Sequence, residues 1–120
     1  MAIPKITVEE LVAVAARADK QIALVDVREP DEWADGHVGY ATLVPLGTVP
    51  DHLDTFGADD AADPTYVICK SGGRSLHACE FAAAHGKHVV NVVGGMMAWT
   101  LAGYDVTMTD ISQDSLTKAV

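Results

Sequence analysis

Nine residues, Val67 to Ser75 (VICKSGGRS), limit the folds open to this chain more than any other stretch. The run from Tyr66 to Ile68 follows Asp63-Pro64 and reads as a buried strand. From Arg74 onward, RSLHACEFAAAHG has the alanine-rich composition and apolar spacing of a helix. Cys69 is therefore placed at the carboxyl end of a strand, facing a glycine-containing loop that runs into a helix amino terminus. In open α/β sheets that is where ligands bind.

The same alternation recurs along the chain. Thr7 and Glu10 fit a capping box, and Leu11, Val12, Val14 and Ala15 supply an apolar stripe for a first helix, closed by Asp19-Lys20. A strand follows at about 22–27, apolar on both faces near its middle, as in a covered parallel sheet. Pro30 to Ala34 opens a short helix or turn. A loop holding Gly36, His37 and Gly39 leads to an extended segment, Thr42 to Val44, stopped by Pro45. TVPDHLDTFG reads as a short helix entered near Pro50, and ADDAADPT as an exposed acidic loop. KHVVNVVGG supplies a further strand, MMAWTLAGY a short helix ending at Gly103, and Asp105 to Met108 a last extended piece. The segment 109–120 reads as a loose tail in which Ser112 can cap a helix. Strands alternating with helices predict a mainly parallel sheet with helices on both faces, a three-layer α/β domain over residues 1–120.

Composition narrows the function classes. The formal charge of −9, with only eight basic residues, argues against nucleic acid, because phosphate binding needs clustered Lys and Arg. Two of the eight, Lys70 and Arg74, flank one loop, which marks a cationic spot suited to a small anion or a held thiolate. No apolar run approaches the ~20 residues that span a bilayer, so no membrane partner is expected. The start, MAIPKITVEE, lacks a basic region followed by an apolar core, which makes the cytoplasm the default location. Cys69 and Cys79 form neither a disulfide framework nor a C-x-x-C pair.

A thiol is a useful nucleophile only as its thiolate, and a free cysteine has a pKa of ~8.5. Three features around Cys69 favour the charged form. The helix beginning near Gly73 or Arg74 points free N–H groups at the loop. Gly72 and Gly73 can take conformations closed to other residues, letting successive amides converge into a nest for an anion. Arg74 adds a fixed forked cation and Lys70 a mobile one. A strand-end cysteine is usually an inert small hydrophobe, but the glycine pair and the arginine reverse those odds here. Cys79, inside the helix beside Glu80, reads as core.

Asp26 and Arg28 end a strand on the same rim and read as braces for the loops, with Glu32 as a partner for Arg28. His37, between two glycines, more often ties a turn to backbone than acts as a base. His52, His77, His85 and His88 show no metal-ligand spacing. Trp33 and Trp99 read as packing residues. No cofactor is called for, and the oligomeric state is open.

With these residues in place the chain resembles the rhodanese family of sulfurtransferases. Cys69, Gly72 and Arg74 match the family's pattern of Cys, two residues, Gly, one residue, then Arg or Thr. LVDVREPDEWADGHVGYATLVPL resembles its amino-terminal signature through Asp26, Arg28, Glu32, Trp33, Gly36, His37 and Pro45. VVGGMMAWTLAGYDV resembles its carboxyl-terminal signature through Gly94, Gly95, Ala98, Trp99, Ala102 and Gly103. The likeness runs over roughly residues 5–107, in the family's order.

The resemblance implies a five-stranded parallel sheet and a ping-pong sulfur transfer. Cys69 would take the outer sulfur of an anionic donor such as thiosulfate, with Lys70, Ser71, Gly72, Gly73 and Arg74 binding the substrate. A thiol, on a small molecule or a protein, or cyanide would then accept it. Two departures stand out: Gly39 and Tyr40 replace the family's usual Pro-Gly, and Lys70 stands where Arg is frequent. Competing readings are a docking or reactive-sulfur-sensing module without turnover, and a cysteine phosphatase or arsenate reductase. The last uses a similar cradle with one residue more between Cys and Arg than the four present here.

Overall fold

Thr7 starts the first helix as its side chain predicts. In the computed structural model, which describes residues 2–108, its hydroxyl accepts from the Glu10 amide while the Glu10 carboxylate accepts from the Thr7 amide, closing the capping box. Helix α1 spans Val8–Arg17 and buries Val8 and Leu11. It is preceded by a two-residue strand, β1 (Lys5–Ile6), which the sequence does not announce. That strand exists because it pairs with β5 (Val89–Val92) at an otherwise open sheet edge.

The remaining strands are β2 (Ala23–Asp26), β3 (Thr42–Leu43) and β4 (Thr65–Ile68). All five are parallel, in the order β1-β5-β4-β2-β3. Helices α2 (Pro30–Ala34), α3 (Gly73–Ala84) and α4 (Gly95–Leu101) complete the alternation. The sheet is covered on both faces. Val25, Val67, Cys69 and the α3 residues Ala78, Cys79 and Ala82 form one core cluster. Leu24, Tyr66 and Ile68 pack with Val8 and Leu11 of α1 and Met96 and Trp99 of α4 in the other. The period-two alternation of β4 thus sends Cys69 to the α3 face.

Two segments differ from the sequence reading. The stretch after Pro45 forms two short 3-10 helices, Leu46–Asp51 and Leu53–Phe56, because Pro50 lies inside the first and cannot donate to an α-helical ladder. Residues 105–108 form no strand of the sheet. Instead Thr107 exchanges both backbone hydrogen bonds with His37 in an isolated antiparallel bridge, at 2.7 and 2.9 Å. The expected tail, with Ser112, lies outside the described residues. Among the described residues no helix is long and apolar enough to cross a membrane.

Strands β2 and β4 are neighbours at the centre of the sheet, and their onward connections run to opposite sides. Such a switch point opens a crevice at the carboxyl ends of the strands. Asp26 and Ile68 are paired there, so the loops beginning at Val27 and Cys69 share one rim.

Candidate active site

The loop after β4 is shaped by glycine at its far side and by α4 behind it. Gly72 has φ +115°, a conformation other residues rarely adopt, and in it the Gly72 amide turns back to donate to Cys69 Sγ at 3.1 Å. Behind the loop, the amides of Met96 and Met97 donate to the carbonyls of Cys69 and Lys70 at 2.8 and 2.9 Å. With these carbonyls anchored, the loop is held in the turn from which the Gly72 amide faces the sulfur. Ser75, in the first turn of α3, adds a hydroxyl 3.3 Å from Sγ.

Burial by itself would push the Cys69 thiol up. The Ser75 hydroxyl and the amides of Ser75, Gly72 and Ser71 outweigh it, so the thiol lies below its ordinary value. Cys79 has no such donors. Burial, helped by the charges of Glu80 and Cys69, pushes it up to about 12. Two buried thiols on one helix-covered face thus have opposite character.

Arg74 is brought to the loop but not aimed at the sulfur. Its two terminal nitrogens donate to the two carboxylate oxygens of Glu32 at 2.7 and 2.9 Å. The pairing of Glu32 with Arg28 expected from sequence is replaced by this one. Arg28 is drawn two residues back onto Asp26, at 2.8 to 3.1 Å through Nε and Nη2. It also donates to the carbonyls of Gly36 and Glu32 at 2.8 and 3.3 Å. Asp26 and Arg28 therefore span β2, α2 and the Gly36 loop from inside the protein. His37 Nδ1 donates to the Trp33 carbonyl at 2.7 Å and its ring stacks on Trp33 with centroids 3.5 Å apart.

A cleft of about 960 Å³ opens beside the loop, lined by Arg28, Glu32, Asp35, Lys70, Ser71, Gly94 and one side of α4. Lys70 and Ser71 are exposed on its wall, and Met97 and Leu101 of α4 stand at its rim, 58% and 91% exposed. Cys69 itself is 1% exposed. Gly73 is exposed on the other side of the turn, where a side chain would meet none of the described residues within 4 Å.

Sequence reading gives no role at the cysteine loop to three residues of this arrangement, of which Gly95 alone is named there, in the carboxyl-terminal signature. Ser75 follows the arginine directly, and its position in the first helical turn is the signal that could have singled it out. Gly95 has φ +54° and sits so close to the Cys69 and Lys70 carbonyls that only a hydrogen fits. Asn91, a polar residue inside an apolar strand, donates through Nδ2 to the Gly72 carbonyl at 3.3 Å.

Comparison with known proteins agrees with this geometry. The family model for the rhodanese-like domain matches residues 7–102. YtwF of Bacillus subtilis, provisionally named a sulfurtransferase, is 41% identical over 83 residues, covering 68% of this chain and 77% of its own. The thiosulfate sulfurtransferase GlpE of Pseudomonas entomophila is 32% identical over 88 residues, covering 72% and 77%. Among solved structures, a rhodanese-like domain protein from Staphylococcus aureus superposes with a TM-score of 0.78 at 34% identity, over 90% of this chain and all of that one. A match to the family model over most of its length, with relatives and a solved structure of the same kind, places this chain with its five-stranded parallel sheet in the rhodanese-like domain family.

Proposed function

We propose that the chain is a rhodanese-type sulfurtransferase in which Cys69 carries sulfur as a persulfide. The observation that supports this best is the convergence of the Gly72 amide and the Ser75 hydroxyl on one buried sulfur. Donors fixed in place before reaction stabilise charge at little reorganisation cost. The donor is a small anion carrying a sulfane sulfur, such as thiosulfate, and Lys70 on the cleft wall assists its approach. The tight burial of Cys69 favours a reaction with a single protruding sulfur over attack on a bulky tetrahedral centre. In the first half-reaction the Cys69 thiolate bonds to the outer sulfur and sulfite departs with the electron pair. In the second, a thiolate, on a small molecule or a protein, or cyanide removes that sulfur and returns the pair to Cys69. The sulfurtransferase names of the relatives support the same reading.

Intact mass after incubation with thiosulfate tests it. The protein should gain one sulfur atom, lose it to cyanide, gain none as Cys69→Ser, and still gain it as Cys79→Ser. A folded protein that gains no sulfur overturns the reading and points to a docking module.

A further inference from the structure

Ser75 has one hydroxyl hydrogen and two acceptors. Its Oγ lies 3.3 Å from Cys69 Sγ and 3.2 Å from the Gly72 carbonyl oxygen. One hydrogen serves one acceptor at a time. The Gly72 carbonyl does not depend on it, since that oxygen also accepts from the Leu76 amide at 3.1 Å and from Asn91 Nδ2 at 3.3 Å. Ser75 is 0% exposed, so bulk water does not compete for the hydrogen, and the local field decides where it points. A thiolate is the stronger acceptor, and a neutral divalent sulfur the weaker one.

We propose that Ser75 is a catalytic residue with two settings, donating to Sγ whenever that atom is a thiolate and turning to the Gly72 carbonyl when Sγ is bonded to a second sulfur. This rests on the sulfur-transfer reading. In the first half-reaction the Sγ electron pair forms the bond to the outer sulfur of thiosulfate, and the bond to sulfite breaks with its pair on sulfite. The charge leaves Sγ, and the hydroxyl turns to the carbonyl. In the second, the acceptor's electron pair bonds to the outer sulfur, the Sγ–S bond breaks, and the pair returns to Sγ. The hydroxyl follows it back. No proton changes hands.

The two halves respond in opposite senses. A thiol of lower pKa departs faster but attacks less strongly once ionised. The Ser75 hydroxyl therefore aids discharge of the persulfide and tempers its formation. A residue that merely held the loop in shape would affect both halves alike.

Ser75→Ala removes one oxygen and leaves a good helix former in α3. Alkylation by iodoacetamide across pH, carried out in the Cys79→Ser background, reads Cys69 alone. The profile should move to higher pH in the variant. Single-turnover experiments at a pH above both profiles should then show thiosulfate loading unimpaired and discharge to cyanide slowed roughly tenfold, as for loss of one charge-assisted hydrogen bond. Ser75→Thr, which keeps a hydroxyl, should recover the discharge rate. An unmoved alkylation profile, or equal slowing of both halves, overturns the proposal. If the unaltered protein takes no sulfur while the profile still moves, the sulfur-transfer reading falls and the hydroxyl–thiolate contact stands.

Discussion

Arg74 and Glu32, 42 residues apart, close a two-bonded ion pair that ties the end of the cysteine loop to α2. Both side chains keep partial contact with water, 34% and 27% exposed, so screening holds the contribution of the pair to about 1 kcal/mol. The hydrogen bonds from Arg74 hold the Glu32 carboxyl at about 2, against a usual 4.5. A folded value below the unfolded one means stability that is fully present above 4.5 and lost as pH falls through about 2. Urea unfolding of Glu32→Gln should therefore show a deficit of about 1 kcal/mol at neutral pH that shrinks towards zero in strong acid. A deficit that does not change with pH would show that the carboxylate charge is not what Arg74 holds.

Asp26 offers the contrasting case. It is 0% exposed, and Arg28 is 6% exposed. Its oxygens accept from Arg28 Nε, Nη2 and the Arg28 amide at 2.8 to 3.1 Å. Asp26→Asn turns an amide group toward these donors and leaves a buried guanidinium uncompensated, a loss of about 3–5 kcal/mol. Measured by urea midpoint, that is a large share of the about 5–15 kcal/mol that stabilises an ordinary domain. A loss below about 1 kcal/mol would place the pair in a much wetter setting than its burial describes.

What could be read from the sequence, and what could not, divides by range of interaction. Apolar runs bounded by Pro and Gly marked the central strands, the Thr7–Glu10 box marked α1, and Pro30 to Ala34 matched the bounds of α2, because each signal is written within a few residues. Strand β1 was missed because two residues carry no periodicity, and its existence depends on an edge supplied 86 residues later, as the pairing of Lys5 with Asn91 shows. At the site, the cysteine and its turn were legible because Gly72 and Gly73 adjoin Cys69. The partner of Glu32 was not, since the sequence offers Arg28 nearby while the fold delivers Arg74 from 42 residues away. Nor was the backing of the loop by α4, which joins Cys69 to Met96 across the sheet end.

That backing rests on Gly95. Its φ of +54° already disfavours a side chain, and a Cβ there would collide with the Cys69 carbonyl and come within 2.6 Å of the Lys70 oxygen. Both are backbone atoms and cannot rotate aside. The same two carbonyls accept from the Met96 and Met97 amides, so Gly95→Ala must push α4 off the loop and break the contacts that turn the loop amides inward. Gly103 provides the control, with φ +83° and, among the described residues, nothing within 4 Å of an added Cβ. Gly103→Ala should therefore cost only its backbone strain, about 1 kcal/mol. Gly95→Ala should cost about 2–4 kcal/mol in urea unfolding, strain and overlap together. At neutral pH, sulfur loading from thiosulfate should fall at least about tenfold in the Gly95→Ala variant, where loss of the inward donors leaves less of Cys69 as thiolate, and change little in Gly103→Ala. Equal losses in the two would mean that the loop holds its shape without α4, and that the paired glycines serve the turn alone.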